Sequence, residues 1–363
     1  MEKTSHVLVV DDDITTLHIL KNTLKTMCQA TLVTSAQKAL DFLASNKPDM
    51  ILLDVEMPQM NGYELIGILK ANLATRDIPV IFLTGLEGQD SELKALRLGA
   101  LDYMQKPIIP ELVRARIKLH LELDMYRKNL LFLVDQKTAT IRRLQEVVIS
   151  MLATTTESRD SDTGNHIHRT QSFVGILLQH GRDLNGLDNL DQAKINDIII
   201  ASQLHDIGKV GIPDSILLKP GKLTEQEFAI MKTHTLIGYR LLNKAAEELG
   251  SESLLDVAKI IAYTHHEKWD GTGYPQGLKG EEIPIVGRIM SIADVYDALI
   301  NRRPYKEPFS HQAAREIIMA GDGTAFDPQV IRIFDDIHPL FQEIAEHNMD
   351  NDLNSLPPEA QTH

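Results

Sequence analysis

Five short apolar runs alternate with helical patterns through the first 110 residues, and that alternation leaves few folds open. The strand-like runs are His6–Val10, Thr31–Thr34, Met50–Leu53, Val80–Leu83 and Asp102–Met104. Between them, residues 15–26, 36–46, 62–71 and 91–98 carry apolar side chains at helical spacing. Such a (βα) alternation predicts a doubly wound α/β domain with a five-stranded parallel sheet, whose strand C-terminal ends converge on one crevice. Asp11 and Asp12 follow the first predicted strand, Asp54 the third, Thr84 the fourth and Lys106 the fifth. Three carboxylates meeting there repel one another unless a hard cation such as Mg²⁺ neutralises them. A lysine and a hydroxyl facing them suit a phosphoryl group.

Residues 111–155 contain no Gly or Pro and are rich in Leu, Glu, Lys and Arg. They predict a linking helix. Positions 123, 127, 130, 134, 137, 141, 144, 148 and 151 step by four and three, and all are apolar except Arg127 and Lys137. That pattern fits a coiled-coil seam, hence a parallel homodimer, or else an amphipathic helix packed on its neighbours. Residues 156–345 read as almost wholly helical, and 346–363 as a polar, acidic tail. Thr224 and Glu227 form a capping box expected to open the helix that carries His234. Pro284 is placed to start the helix of Asp294. Asp270–Gly280, with four glycines and a proline, reads as a loop.

An apolar share of 43% and a charged share of 24% are ordinary for globular protein, and 363 residues allow two or three domains. The single cysteine, Cys28, excludes an intramolecular disulfide and fits a reducing cytoplasm. No leader pattern precedes the first strand, and no run is long enough to insert in a membrane. A net charge of −14 argues against non-specific nucleic-acid binding. An anionic substrate would then need metal ions and a local basic patch.

The second half supplies the donors for such ions. Asp162 and His166, then His205-Asp206, His234, His265-His266 and Asp294 form a series of imidazoles and carboxylates. Donors of this kind suit divalent transition metals: iron, manganese, nickel or zinc. They are too many for one ion, which implies two or three. Neighbouring residues on a helix point about 100° apart. Each adjacent pair, read as helical, can therefore reach different ions, with Asp206 the natural bridge. A multinuclear site of this type activates water and clamps a phosphoryl group.

Residues 5–120, with VVDDD, LLDVEMPQMNGYEL, LTG and YMQKP, resemble the receiver domain of response regulators. The resemblance implies that Asp54 is the phosphoacceptor and that Asp11 and Asp12 hold Mg²⁺ with it. It also implies that Thr84 and Lys106 contact the phosphoryl oxygens, that Tyr103 is the switch aromatic, and that a sensor histidine kinase is the partner. Residues 150–335, with RDSDTGNHIHRT, LHDIGKVGIPDSIL, KTHTLIGYRLL, YTHHEKWDGTGYPQGLKGEEIPIVGRIMSIADVYDAL and RRPYK, resemble the HD-GYP branch of the HD phosphohydrolases. That resemblance implies a metal-dependent phosphodiesterase cutting cyclic di-GMP to the linear dinucleotide and, in some members, on to GMP. Carried over by motif, His205, Asp206, His234, His265, His266 and Asp294 hold two ions, and His166 with Asp162 serves a conditional third. Lys209, Arg303 and Lys306 would meet phosphate, and Tyr274 the base. Cyclic GMP-AMP is the rival substrate, another HD nucleotide hydrolase a second reading, and a non-catalytic binding module a third.

Overall fold

The structure is a computed structural model and describes residues 5–85, 89–159, 165–188, 190–250, 254–301 and 308–355. It divides into two compact units, residues 1–138 and 139–363. The first contains a five-stranded parallel sheet in the order β2-β1-β3-β4-β5. Its strands are β1 (His6–Val10), β2 (Gln29–Val33), β3 (Met50–Asp54), β4 (Val80–Thr84) and β5 (Asp102–Gln105). The helices α1 (Ile14–Leu24), α2 (Ala36–Leu43), α3 (Gly62–Ala71) and α4 (Gln89–Arg97) connect them. Side chains alternate between the two faces of a strand, so the sheet carries two apolar layers. Leu8, Ile51, Leu53 and Phe82 pack with Ala39, Leu65 and Leu69, while Val7, Val9, Leu52 and Leu83 pack with Leu17, Leu20 and Ile117. Register pairs Val10 with Leu53, Asp54 with Leu83 and Thr84 with Gln105, which aligns the strand ends that carry the acidic residues.

Helix α5 (Pro110–Glu157) is continuous over 48 residues, about 72 Å at the usual rise. The limit between the units falls inside it. Leu123, Leu130, Val134, Ile141, Leu144, Val148 and Met151 are all exposed. The seam positions therefore do not pack on neighbours in the described residues of this chain.

The second unit comprises the end of α5 and α6 (His166–His180), α7 (Gln192–Ala201), α8 (Asp214–Leu217), α9 (Glu225–Met231), α10 (His234–Leu249), α11 (Leu254–Thr264), α12 (Ile285–Ile300), α13 (His311–Ala320) and α14 (Pro328–Ser355). Its core centres on stacked Phe173 and Phe341, 4.6 Å apart, with Tyr296 edge-on to both. No helix among the described residues is long and apolar enough to cross a membrane.

Three local expectations change. The Thr224–Glu227 capping box is formed, but it opens the short α9, and His234 instead begins α10. His205 and Asp206 lie between two 3₁₀ turns, Ser202–Leu204 and Ile207–Gly211, and His265-His266 follow the end of α11. None of the four is inside an α-helix. The helix α14 runs on to Ser355, past the start of the predicted tail, with Pro339 inside it. The calls on Asp162, Arg303 and Lys306 fall outside the described residues.

Candidate metal centre

Apart from Asp294, the ligand candidates sit at helix ends or in the turns beside them, within reach of backbone carbonyls. Those carbonyls orient the imidazoles. His205 Nδ1 donates to Ser202 O at 2.9 Å, and His234 Nδ1 to Met231 O at 2.8 Å. His265 Nδ1 faces Ile261 O and Ala262 O, both at 3.1 Å. His166 Nδ1 donates to the Asp297 carboxylate at 2.6 Å. A carbonyl oxygen can only accept, so Nδ1 of His205, His234 and His265 carries the hydrogen and Nε2 presents a lone pair inward, the arrangement metal-ligating histidines use; burial opposes a charge on His166, but Asp297, with Asp294 and Glu157, pushes it up to about 9.

Those nitrogens converge on carboxylates. Asp206 Oδ1 lies 3.2 Å from His234 Nε2 and 3.6 Å from His265 Nε2, while its Oδ2 lies 3.4 Å from His205 Nε2. Asp294 Oδ1, from the middle of α12, is 3.8 Å from His205 Nε2 and 3.7 Å from His166 Nε2. Two groups result, each with donor atoms within 4.8 Å of one another: Asp206, His234, His265 and His266, and separately His166, His205 and Asp294. Sequence reasoning had set His166 apart as a conditional third site, whereas the geometry pairs it with His205 and Asp294. The two oxygens of Asp206 face different neighbours, as a bridging carboxylate requires.

The donor set fits divalent cations. His205 Nε2 and Asp206 Oδ1 are buried and make no hydrogen bond. A buried acceptor without a donor is costly, and lone pairs facing lone pairs at these distances call for a cation. Burial, with His265 and His234 nearby, pushes His266 well below the ordinary imidazole range, which favours the neutral ligand form. Burial opposes the charge on Asp206, but Lys209 and the imidazoles hold it well below the usual carboxylate range. Lys209 Nζ lies 2.9 Å from Asp206 Oδ2.

Two glycines permit this packing. A Cβ on Gly208 would lie 1.9 Å from His234 O, so only glycine lets the turn after Asp206 seat against the start of α10. A Cβ on Gly273 would lie 2.3 Å from Lys268 N, where the loop folds back on itself. Buried Glu267 clamps that loop by accepting from Gln276 N at 2.7 Å and Leu278 N at 3.1 Å. Tyr274 is thereby laid against His266, ring centres 4.8 Å apart, with Phe228 at 6.3 Å and Lys232 Nζ 5.7 Å from its ring.

Sequence reasoning missed the residues behind the ligands. Arg169 and Asp297 are each 1% exposed, and Arg169 Nε and Nη2 reach Asp297 oxygens at 2.7 and 3.1 Å. Asn301 Nδ2 adds a bond to Asp297 at 2.8 Å. Spacing carried a usable signal: Arg169 is three residues after His166 and Asp297 three after Asp294, so each shares a helix face with a ligand. Glu267 followed the His-His pair directly.

In the first unit, Asp11 and Asp54 are buried, Asp12 is exposed, and their oxygens lie within 4.8 Å of one another. Lys106 Nζ sits 2.9 Å from Asp11 Oδ2 and 3.0 Å from Asp54 Oδ1. Thr84 ends β4 and Tyr103 lies on β5. Burial, reinforced by the charge of Asp11, pushes Asp54 up to about 6 despite Lys106.

The sequence matches the response regulator receiver domain over residues 7–118 and the HD domain over residues 147–330. The chain belongs to the response regulators that carry an HD-GYP domain. A protein of Vibrio cholerae named a probable cyclic di-GMP phosphodiesterase is 43% identical over 360 residues, 97% of this chain and 82% of its own. The cyclic di-GMP phosphodiesterase response regulator RpfG of Xanthomonas campestris is 35% identical over 90% of this chain and 86% of its own. A 3′3′-cGAMP-specific phosphodiesterase of Vibrio cholerae is 43% identical over 213 residues, 59% of this chain and 38% of its own. The HD-GYP assignment accounts for Gly273-Tyr274-Pro275 and for the two donor groups in one unit.

Proposed function

We propose that this chain is a metal-dependent phosphodiesterase that hydrolyses cyclic di-GMP to the linear dinucleotide. The observation that carries this reading is the convergence of inward-facing imidazole nitrogens on Asp206 and Asp294. His234, His265, His266 and Asp206 would hold one divalent ion, and His205, His166 and Asp294 another, with Asp206 facing both groups. Iron or manganese fits this nitrogen-rich, carboxylate-containing set first, with nickel and zinc as alternatives. Such ions, when bound, supply Lewis acidity and an activated water for attack at phosphorus. Lys209 brings a cationic head to the edge of the donor groups, where it neutralises a non-bridging oxygen or the departing alkoxide. Tyr274 offers an aromatic face for a guanine, and Arg303 with Lys306 is assigned the remaining phosphate contacts. Metal-reconstituted protein offered cyclic di-GMP, 3′,3′-cyclic GMP-AMP and guanosine triphosphate should yield linear dinucleotide fastest from the first. Preference for cyclic GMP-AMP would transfer the assignment to that substrate, and hydrolysis of the triphosphate alone would refute a diesterase.

Control by the receiver belongs to the same proposal. Asp54 is the phosphoacceptor, Asp11 and Asp12 hold Mg²⁺ with it, and Thr84, Lys106 and Tyr103 read the phosphoryl group. A sensor histidine kinase supplies the phosphoryl group, and two chains pair in parallel through the exposed seam of α5. Asp54 is the residue to test. Its folded pKa, about 6, exceeds the ordinary 3.8, so its favourable contribution is present below pH 3.8 and lost as pH rises through 6. At pH 7.5 without Mg²⁺, Asp54→Asn should therefore stabilise the receiver by roughly 1–3 kcal/mol, read by calorimetry. The same variant should ignore an acyl-phosphate donor in turnover assays. An unchanged or lowered receiver midpoint, or a wild-type response to the donor, would refute these roles.

A further inference from the structure

Helix α9 has no buried residue, yet it is held in place from both ends. Its capping box closes the first turn, and Lys219 Nζ reaches Glu227 Oε2 at 2.5 Å. Met231, its last residue, packs on the small core of Ile212, Ile216 and Leu217. The side chains so placed are Phe228, 47% exposed, and Lys232, which caps the helix. The Phe228 ring stands at 81° to that of Tyr274. Lys232 Nζ lies 5.2 Å from the centre of the first ring and 5.7 Å from the centre of the second. No carboxylate pairs with Lys232 among the described residues. Aromatic faces hold an ammonium through their quadrupoles and leave its N–H groups able to donate.

Tyr274 in turn lies against His266, a member of one donor group. A base stacked on Tyr274 is therefore next to the centre, and a stacking separation of about 3.5 Å puts its edge beside Lys232. The chemistry of that edge decides what Lys232 does. Guanine presents two neighbouring acceptors, O6 and N7, whereas adenine presents N7 beside the N6 amino donor. An ammonium attracts the first pair and meets a like-signed N–H in the second. The phosphates, by contrast, are the same in every cyclic dinucleotide.

We infer that Lys232 is a specificity-determining residue that selects guanine over adenine at Tyr274. This rests on the reading of the site as a cyclic dinucleotide diesterase with Tyr274 as a base contact.

The test compares kcat/KM for cyclic di-GMP and cyclic di-AMP in the full chain loaded with Mn²⁺, with bound metal counted. Wild type should favour cyclic di-GMP. In Lys232→Met, which keeps an apolar stem against the two rings, that ratio should fall at least about tenfold with the metal count unchanged. Lys232→Arg, which keeps the charge, should retain most of the ratio. From 3′,3′-cyclic GMP-AMP, wild type should release one linear isomer in excess, because guanine on Tyr274 decides which phosphodiester reaches the centre. Lys232→Met should shrink that excess. An unchanged ratio in Lys232→Met overturns the inference, and so does wild type that cuts both substrates equally well. A ratio that Lys232→Arg loses as fully as Lys232→Met also overturns it, as does a changed ratio with metal lost, which places the effect at His234. If Tyr274→Leu lowers the ratio while Lys232→Met does not, the base contact stands and the role of Lys232 falls. Wild type that cuts no cyclic dinucleotide overturns the diesterase reading itself.

Discussion

Turnover falls at least about a thousandfold, roughly 4 kcal/mol of transition-state stabilisation, when His205 and Asp206 are both replaced by alanine. The pair touches both donor groups: Asp206 Oδ1 faces His234 and His265, and His205 Nε2 faces Asp294. Its removal leaves neither group intact, so bound metal should fall in parallel with activity. The stability outcome separates this from simple misfolding. Without metal, Asp206 is held ionised by Lys209 at 2.9 Å and by the imidazoles, so its deletion removes a stabilising contribution. The double variant should therefore unfold, without metal, in one cooperative transition at a midpoint below that of the wild type. Added Mn²⁺ should raise the midpoint of the wild type only, since a ligand that binds the folded state alone stabilises by mass action. Retained turnover, or a metal-dependent midpoint in the double variant, would mean that the centre lies elsewhere.

The second large effect is on folding. Asp297→Ala leaves Arg169 charged in the core after deleting its two bonds at 2.7 and 3.1 Å. Breaking one side of a buried pair costs about 3–5 kcal/mol, and His166 loses its orienting acceptor as well. Trp269 is the only tryptophan and lies in the second unit, so denaturation followed by its fluorescence reports on that unit. Asp297→Leu combined with Arg169→Met should recover much of the loss, because no charge is then stranded. Burial opposes ionisation of Asp297, yet His166 and Arg169 hold its carboxyl below the usual range. Its contribution is therefore in place above the ordinary carboxylate pKa and disappears as pH falls through the depressed value. A loss under about 1 kcal/mol for Asp297→Ala would show that the pair contributes little.

What was legible followed from periodicity and from spacing along one element. The five strands were readable because buried parallel strands appear as apolar runs between turn residues, and the helical spacing of residues 62–71 coincides with α3, which a capping box of Asn61 and Glu64 opens. His166, His205, Asp206, His234, His265, His266 and Asp294 were singled out in the sequence and come together in two donor groups, but their partition was not legible, since which nitrogen meets which oxygen depends on how α6, α10, α11 and α12 pack. The helical reading of His205-Asp206 failed for a local reason. Gly208 must approach His234 O closely, and the chain tightens into 3₁₀ turns to allow it.

The hydrogen bonds at Nδ1 set an asymmetry for divergence among chains of this kind. His205, His234 and His265 are held by main-chain oxygens, which no point mutation can erase. His166 alone relies on a side chain, that of Asp297. A lineage can therefore drift at most positions around the centre and still keep those three imidazoles aimed. One codon change at position 297 would release His166 without touching the other three imidazoles, which makes its aim the trait selection can alter most readily.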